Sequence, residues 1–309
     1  KPGLGFPIAR VCTIISLSCG AVLDMGICRY AGKGQGEISL LRKMWNTLSP
    51  GDVLLTDCLM STWYDMLKLK ERGVDSVSRL NKAHRRADFR RGKRLGKGDH
   101  IVRWPKSRSA LRFLDRAAYK ELPDYLEVRE VRVRVEQPGF RTKELIVVTT
   151  ILDPVAATKE DLASLYRSRW SQELDLRDIK ISLQMDILRC KTPELVRKEI
   201  WTHLLAFNLV RTVMAQAAHH SGVQPREISF KGTVQTLKAF QPMVSCQPHA
   251  ALRQELYRQL LRAVATHRVA DRPDRYEPRK RKRKPRTAEM MTKPRWELKR
   301  LMRKGVTKI

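Results

Sequence analysis

The sequence predicts an α/β protein in which short buried strands alternate with helices. The stretches ARVCTIISLSC and AVLDMGICRYAG meet at Cys19 and Gly20. Apolar residues alternate with other residues along both stretches, which is typical of a β-hairpin. The segment VLLTD, residues 53–57, has the composition of a short buried strand that ends in a polar residue. Residues 165–186 and 193–220 contain no glycine and are rich in helix formers, so both are expected to be helical.

The elements are expected in the order hairpin, helix, strand, helix, β-rich segment, strand and helices. GEISLLRKMWNTL should form a helix that Ser-Pro-Gly ends, and STWYDMLKLKERG a helix that Gly73 ends. Residues 74–142 are very basic and contain strand-like pieces between Gly- and Arg-rich turns, and ELIVVTTIL follows as a buried strand. From about residue 269 the chain carries EPRKRKRKPR, which indicates a flexible polybasic tail, with a terminal helix as one interpretation of its end.

The composition indicates a polyanionic partner. The chain has 309 residues, and 62 lysines and arginines against 32 aspartates and glutamates give a net charge of +30. Nucleic acid is the simplest partner for such an excess, and an anionic membrane surface or ribosomal RNA are the alternatives. No apolar run reaches the roughly 18 residues that span a bilayer. The six cysteines form no CxxC pairs, which favours reduced cytoplasmic thiols over a zinc site or a disulfide framework.

One helix face carries the most informative pattern. Tyr166, Arg169, Glu173 and Lys180 follow the spacing Y-x2-R-x3-E-x6-K within a segment expected to be a single helix. At roughly 100° per residue these four side chains fall within an arc of about 60°. A carboxylate binds a hard cation and the two basic residues bind phosphate oxygens, so this face suits a metal ion that holds a phosphodiester.

Charge spacing alone leaves a simpler interpretation open. The same face can be a solvated surface with i,i+4 ion pairs, and Arg169 with Glu173 is such a pair. Trp170, beside this face, is expected to pack in the core, with stacking on a displaced base as the alternative.

The pattern resembles the Y-R-E-K signature of insertion-sequence transposases of the DDE class, specifically the "insertion sequence four" group. The surrounding LY-x2-RW, LDLR, LQMD, P-E-x-V-R-K-E-I-W and LLAFNLVR are similar to that group, as is GFPIAR at the start. The resemblance implies an RNase H-like core, its first strand missing, interrupted by a β-rich insertion and followed by C-terminal helices and a basic tail. It divides the chain into residues 1–73 and 143–220 as the core, 74–142 as the insertion, 221–268 as a helical region and 269–309 as the tail.

Asp57 is the best candidate for a second metal-binding carboxylate. It ends the predicted strand VLLTD, and a strand end in an open α/β sheet delivers a side chain to the rim where ligands bind. The resemblance also places the second catalytic aspartate here, although the family usually has arginine at the next position, where this chain has Cys58. The alternative for Asp57 is a capping residue of a turn or helix.

The first catalytic aspartate of the family has no counterpart on these residues. It belongs to a first strand upstream of a segment like GLGFPIAR, and this chain starts at that segment. Asp24 is the only acid in the early strands, but it lies on the predicted third strand and is interpreted as an edge or turn residue. The sequence is therefore expected to be the later part of a longer transposase, or a decayed copy.

The resemblance implies a bacterial enzyme that cuts and rejoins DNA. An Asp–Asp–Glu set would hold two Mg²⁺ ions, with Mn²⁺ as a substitute, and would include Asp57 and Glu173. Tyr166, Arg169 and Lys180 would bind phosphates of double-stranded DNA at the transposon ends and target, in a homodimer associated with the nucleoid in the cytoplasm. The basic block at residues 82–97 and the tail would contact DNA. The alternatives are a catalytically inactive DNA-binding remnant and a basic RNA-binding structural protein.

Overall fold

A computed structural model describes residues 9–30, 32–134, 144–269 and 293–305, and their strands form two sheets. The predicted α/β class is confirmed. The first eight residues, the predicted boundary at residue 142 and the polybasic run at 277–286 lie outside the described residues. Within the described part, no helix is both long and apolar enough to cross a bilayer.

The predicted hairpin is present. Strands β1 (Ala9–Ile15) and β2 (Val22–Arg29) pair antiparallel, because their alternating side chains bury one face. The Ser16 N–H donates to the carbonyl of Ala21 at 2.8 Å and closes the turn. Gly20 has φ +79°, and a Cβ there would lie 2.9 Å from Cζ of Arg211, so both conformation and space favour glycine.

The second sheet contains six strands. They are β3 (Val53–Leu55), β4 (Asp75–Arg79), β5 (Lys93–Gly96), β6 (Asp99–Pro105), β7 (Tyr125–Arg134) and β8 (Glu144–Thr149). Their order is β3-β4-β8-β7-β6-β5, with β3 and β4 parallel and every other pair antiparallel. The strands of the basic segment 74–134 therefore continue the sheet that contains β3 and β8. The five-part division of the chain stays a prediction.

Two short helices cover the region between the hairpin and β4. Helix α1 (Glu37–Lys43) packs on β1 through Leu40 and Leu41. Helix α2 (Trp63–Glu71) begins at Thr62, whose hydroxyl accepts the N–H of Asp65, and the chain leaves it through Gly73 with φ +73°. Helix α3 (Arg116–Glu121) follows β6.

The segment predicted to be one helix is divided, so that prediction is wrong in detail. Helix α4 (Lys159–Ser168) and helix α5 (Trp170–Arg177) meet at Arg169, and a π-helical turn (Asp178–Ser182) follows α5. Arg169 keeps helical dihedrals, but its N–H bonds the Tyr166 carbonyl three residues back at 3.2 Å. The wider turn takes Lys180 off the regular path of 100° per residue.

The C-terminal helices form the largest apolar core together with the hairpin. Helix α6 (Pro193–Ser221) begins at Thr192 and ends at Gly222 in the left-handed conformation. Helices α7 (Phe230–Cys246) and α8 (Ala250–Thr266) pack against α6. Met25 of β2 and Ile179 of the π turn are buried in the same core, so α6 fixes the end of the signature segment. Helix α9 (Arg295–Arg303) lies in the last described segment, residues 293–305.

Candidate active site

A cleft separates the two sheets. In the described part of the chain, β1 pairs with β2 alone and β3 with β4 alone, so each presents a free edge. Residues of both strands, together with α5, line a cavity of about 1500 Å³. Asp57, Arg169, Glu173 and Lys180 all line this cleft, so the fold brings four of the five predicted site residues to one cavity.

Asp57 follows β3 by two residues. Its Oδ1 accepts the N–H of Leu59 at 2.6 Å, so the side chain caps the turn after the strand. The capping role expected as the alternative is therefore present. The other oxygen, Oδ2, accepts no hydrogen bond from the residues that the structure describes, and Asp57 still lines the cleft. Capping by one oxygen is compatible with metal binding by the other.

Glu173 and Arg169 form the expected i,i+4 ion pair on the signature segment. Nη2 of Arg169 lies 2.9 Å from Oε1 of Glu173, and the glutamate side chain is 45% exposed. The hydrogen bond to Glu173 raises the pKa of the Arg169 guanidinium against the lowering effect of its partial burial. The pair presents a carboxylate and a fixed cation to the cleft, and geometry alone does not separate a catalytic pair from a surface pair.

Tyr166 is not among the residues that line the cleft, and its ring centroid lies 6.0 Å from Cζ of Arg169. Its phenol is half-buried, and burial raises its pKa while the nearby cations of Arg169 and Arg79 act in the opposite direction. Arg79 is exposed at the end of β4, the parallel neighbour of β3. The Cys58 thiol also influences the phenol. Sequence reasoning missed Arg79, although its position at a strand end next to β3 is a signal of the kind that identified Asp57.

Two other predicted residues are now located. Lys180 is exposed on the π turn and lines the cleft. Trp170, expected in the core, is 46% exposed, because the interruption at Arg169 leaves its indole outside the apolar clusters, and the expectation of core packing is wrong.

Asp24 does not join the cleft. Its Oδ2 accepts the hydroxyl of Thr47 at 2.7 Å and its Oδ1 accepts the N–H of Met25 at 2.6 Å, which is a local structural role. Among residues 9–30, 32–134, 144–269 and 293–305, no three His, Cys, Asp or Glu side chains lie close enough together to hold a metal ion. Asp57 and Glu173 line the cleft, but they are not part of a group of three close metal-binding side chains among the described residues.

A buried carboxylate that sequence reasoning did not single out lies on the same helix. Asp175 is fully buried and bonds Arg211 of α6 and Arg226 of the 3-10 turn Pro225–Glu227. Burial raises the pKa of Asp175, and the two arginines act to lower it. The LDLR segment around Asp175 does not predict this buried ion cluster, because the two arginine partners lie 36 and 51 residues away in the chain.

Comparison with known proteins identifies the family. The family model described as the transposase DDE domain matches residues 8–209, about two thirds of the chain, and this family implies an RNase H-like core. The chain is 32% identical over 193 residues to the transposase InsG of insertion sequence element IS4 from Escherichia coli K12, covering 57% of this chain and 41% of that protein.

Two further relatives match a shorter segment. The putative transposase InsL of IS186A from Escherichia coli K12 and the transposase of IS421 from Escherichia coli are each 35% identical over 69 residues, covering 22% of this chain and 19% of theirs. The chain spans less than half the length of these curated relatives.

Proposed function

Because this chain belongs to the DDE transposase family, we propose that it acts in the cleavage and strand transfer of DNA at insertion-sequence ends. The observation that carries this proposal is that Asp57, Glu173, Arg169 and Lys180 line the same cleft. Two carboxylates beside two cations suit a reaction at a phosphodiester, where a metal ion and fixed positive charges balance the developing negative charge. The +30 charge of the chain supports double-stranded DNA as the partner.

The donor chemistry of the cleft fits Mg²⁺, with Mn²⁺ as a substitute. These hard cations prefer carboxylate oxygens, and Oδ2 of Asp57 and Oε2 of Glu173 have no hydrogen-bond partner among the described residues. Asp57 and Glu173 would hold the ion. When bound, it would neutralise charge on the phosphodiester during in-line attack.

The basic residues of the site would position the DNA strand. Arg169 is held by Glu173 and offers its remaining N–H groups to phosphate oxygens, and Lys180 offers a second cation further along the cleft. Tyr166 lies beside Arg169 and would donate its phenolic proton to a phosphate oxygen; a phenol holds that proton at neutral pH, and burial raises its pKa further. Arg79 would provide a further cation near the Tyr166 phenol, whose pKa it acts to lower.

A third carboxylate would complete the site. The free edges of β1 and β3 both border the cleft, and a strand between them would join the two sheets. We propose that such a strand carries the first aspartate of the Asp–Asp–Glu set. A homodimer that bridges two DNA ends and a nucleoid-associated location in the bacterial cytoplasm belong to the same proposal.

The second candidate function is a DNA-binding remnant without cleavage activity. The observation that favours it is the absence, within the described residues, of three metal-binding side chains close together. Two carboxylates hold one ion weakly, whereas two-metal phosphoryl transfer needs about three converging carboxylates. Under this alternative, the charge of the chain would still bind DNA.

A nicking assay on insertion-sequence end DNA with Mg²⁺ separates the two functions. We expect little or no cleavage by residues 1–309 alone, and cleavage by a longer protein that carries an upstream strand with the first aspartate. Glu173→Ala in the longer protein should abolish cleavage. Failure of the longer protein to cleave would contradict the enzyme proposal, and strong cleavage by residues 1–309 would contradict our placement of the first aspartate.

A further inference from the structure

A buried ionic cluster connects the Glu173 helix to helix α6 and to the hairpin side of the cleft. Nη1 of Arg226 lies 2.9 Å from both Asp175 oxygens, and Nη2 of Arg211 bonds Oδ1 of the same carboxylate. Asp175 is 0% exposed and Arg211 is 5% exposed, so the cluster is largely shielded from water.

Arg226 extends this cluster to the hairpin. Its Nε donates to the carbonyl of Leu17 at 2.8 Å and its Nη2 donates to the carbonyl of Ser16 at 3.0 Å. Both carbonyls belong to the turn directly after β1, the strand that forms one wall of the cleft. A single guanidinium therefore joins α5 to the β1 turn through its planar set of donors.

The position of Asp175 on α5 determines what the cluster can control. Asp175 follows Glu173 by two residues, so at about 100° per residue the two side chains point to nearly opposite sides of the helix. Fixing Asp175 on the buried side fixes the rotation of α5 about its axis. That rotation sets where the Glu173 carboxylate lies relative to the β1 wall and Asp57.

Stability alone does not account for this arrangement. Replacing a buried ion cluster with well-packed apolar residues is often neutral or stabilising. Apolar packing is not directional. The four charge-assisted hydrogen bonds from Arg226, by contrast, specify one orientation of α5. Helix α5 borders a π turn and the interruption at Arg169, so its own hydrogen bonds constrain it less than a long regular helix would.

We propose that Arg226 is a positioning residue that, through Asp175, orients Glu173 toward the cleft. This inference rests on the proposed function of Glu173 as a metal ligand. Hydrogen bonds that orient metal ligands typically contribute about 10–100-fold to metal affinity. Arg226 would affect metal affinity without contacting the metal ligands, because it bonds the side of α5 that faces away from Glu173.

The test uses Arg226→Gln in residues 1–309, with Arg268→Gln as the matched control. Arg268 pairs with Glu227 beside the same 3-10 turn but does not contact Asp175. Hydrogen–deuterium exchange should be about tenfold faster for residues 170–182 in Arg226→Gln and unchanged in the control. Arg226→Lys should give an intermediate effect, because the single nitrogen of an ammonium group cannot occupy the three donor positions that Nε, Nη1 and Nη2 of Arg226 fill. Unchanged exchange in Arg226→Gln would overturn the proposal.

Mn²⁺ binding by electron paramagnetic resonance adds a measurement that links the loosening of α5 to the position of Glu173. Arg226→Gln should weaken Mn²⁺ binding about tenfold, and should weaken it no further when Glu173 is already Gln. Equal Mn²⁺ affinity in wild type and Arg226→Gln, with loss in Glu173→Gln, would also overturn the proposal. If wild type binds no Mn²⁺, the assignment of Glu173 as a metal ligand in residues 1–309 fails instead, and the exchange experiment alone decides whether Arg226 orients α5.

Discussion

At the residue scale, the cysteines differ sharply in environment. Burial on β1 raises the pKa of the Cys12 thiol from 9.0 to about 11, whereas Cys246 at the end of α7 is exposed. We predict that at pH 8 the disulfide reagent DTNB modifies Cys246 well before Cys12, because only the thiolate attacks and Cys12 remains protonated. Thiol titration followed by peptide mass spectrometry measures the order, and early labelling of Cys12 in the folded protein would refute the prediction.

The same shift predicts a change of stability with pH. The folded state holds the Cys12 proton up to a higher pH than the unfolded chain does, so this contribution is complete below pH 9.0 and is lost as the pH approaches about 11. Urea unfolding of wild type and Cys12→Ala between these limits measures it, and the stability of wild type should decline more steeply than that of the variant. Parallel decline would show that Cys12 does not contribute.

Arg79 allows a residue-scale prediction about DNA. If Arg79 contacts a phosphate beside Tyr166, Arg79→Gln should weaken duplex binding at all sequences and reduce the salt slope by about one. Fluorescence anisotropy over a salt series measures both quantities. Arg258→Gln, which removes an exposed arginine of α8 paired with Glu255, is the control and should leave the slope unchanged. An unchanged slope in Arg79→Gln would remove Arg79 from the DNA contact.

At the element scale, the sequence predicts an element correctly when the residues that determine it lie close together in the chain. The hairpin and the helix end at Gly73 follow from alternation and turn chemistry within a few residues, and the structure confirms them. The division at Arg169 and the π turn were not predicted, because they accompany contacts with distant elements, such as Asp175 with Arg211 and Ile179 in the core of α6. Regular helix periodicity carries no information about such partners.

A buried ion pair between neighbouring strands gives an element-scale prediction of stability. Arg129 of β7 is 1% exposed, bonds both oxygens of Asp99 on β6 and donates to the Ala157 carbonyl before α4. Arg129→Ala leaves the Asp99 charge buried without its partner, so we expect a loss of about 3–5 kcal/mol.

Urea unfolding monitored by circular dichroism measures this loss. The control is Arg103→Ala, which removes the exposed pair with Glu127 across the same two strands and should cost less than about 1 kcal/mol. Equal losses in the two variants would mean that burial does not determine the contribution of the pair.

At the scale of the whole molecule, the site depends on sheet order, which the sequence does not state. Asp57 and Glu173 are 116 residues apart in number, and they line one cleft because β3 lies at the edge of its sheet while α5 packs toward the hairpin. Strand-end position identified Asp57 and the spacing of the signature identified Glu173. Arg79 and Arg226 were missed because their contacts appear only once β4 lies beside β3 and α6 packs on the hairpin.

The charge of the whole chain predicts its behaviour with DNA. With a net charge of +30, binding should release many counterions, so duplex affinity should fall on the order of 10³-fold between about 50 and about 200 mM salt. A filter-binding or anisotropy series measures this dependence. Affinity that barely changes with salt would exclude phosphate contacts as its main source.

The central claim is that Asp57 and Glu173 hold one divalent ion in the cleft between β1 and β3. Electron paramagnetic resonance of Mn²⁺ with wild type, Asp57→Asn, Glu173→Gln and the double variant tests it most directly. We predict that wild type binds Mn²⁺, that each single substitution weakens binding by about tenfold or more, and that the double variant loses little beyond either single variant. Equal Mn²⁺ affinity in all four proteins, or no binding by wild type, would contradict the claim.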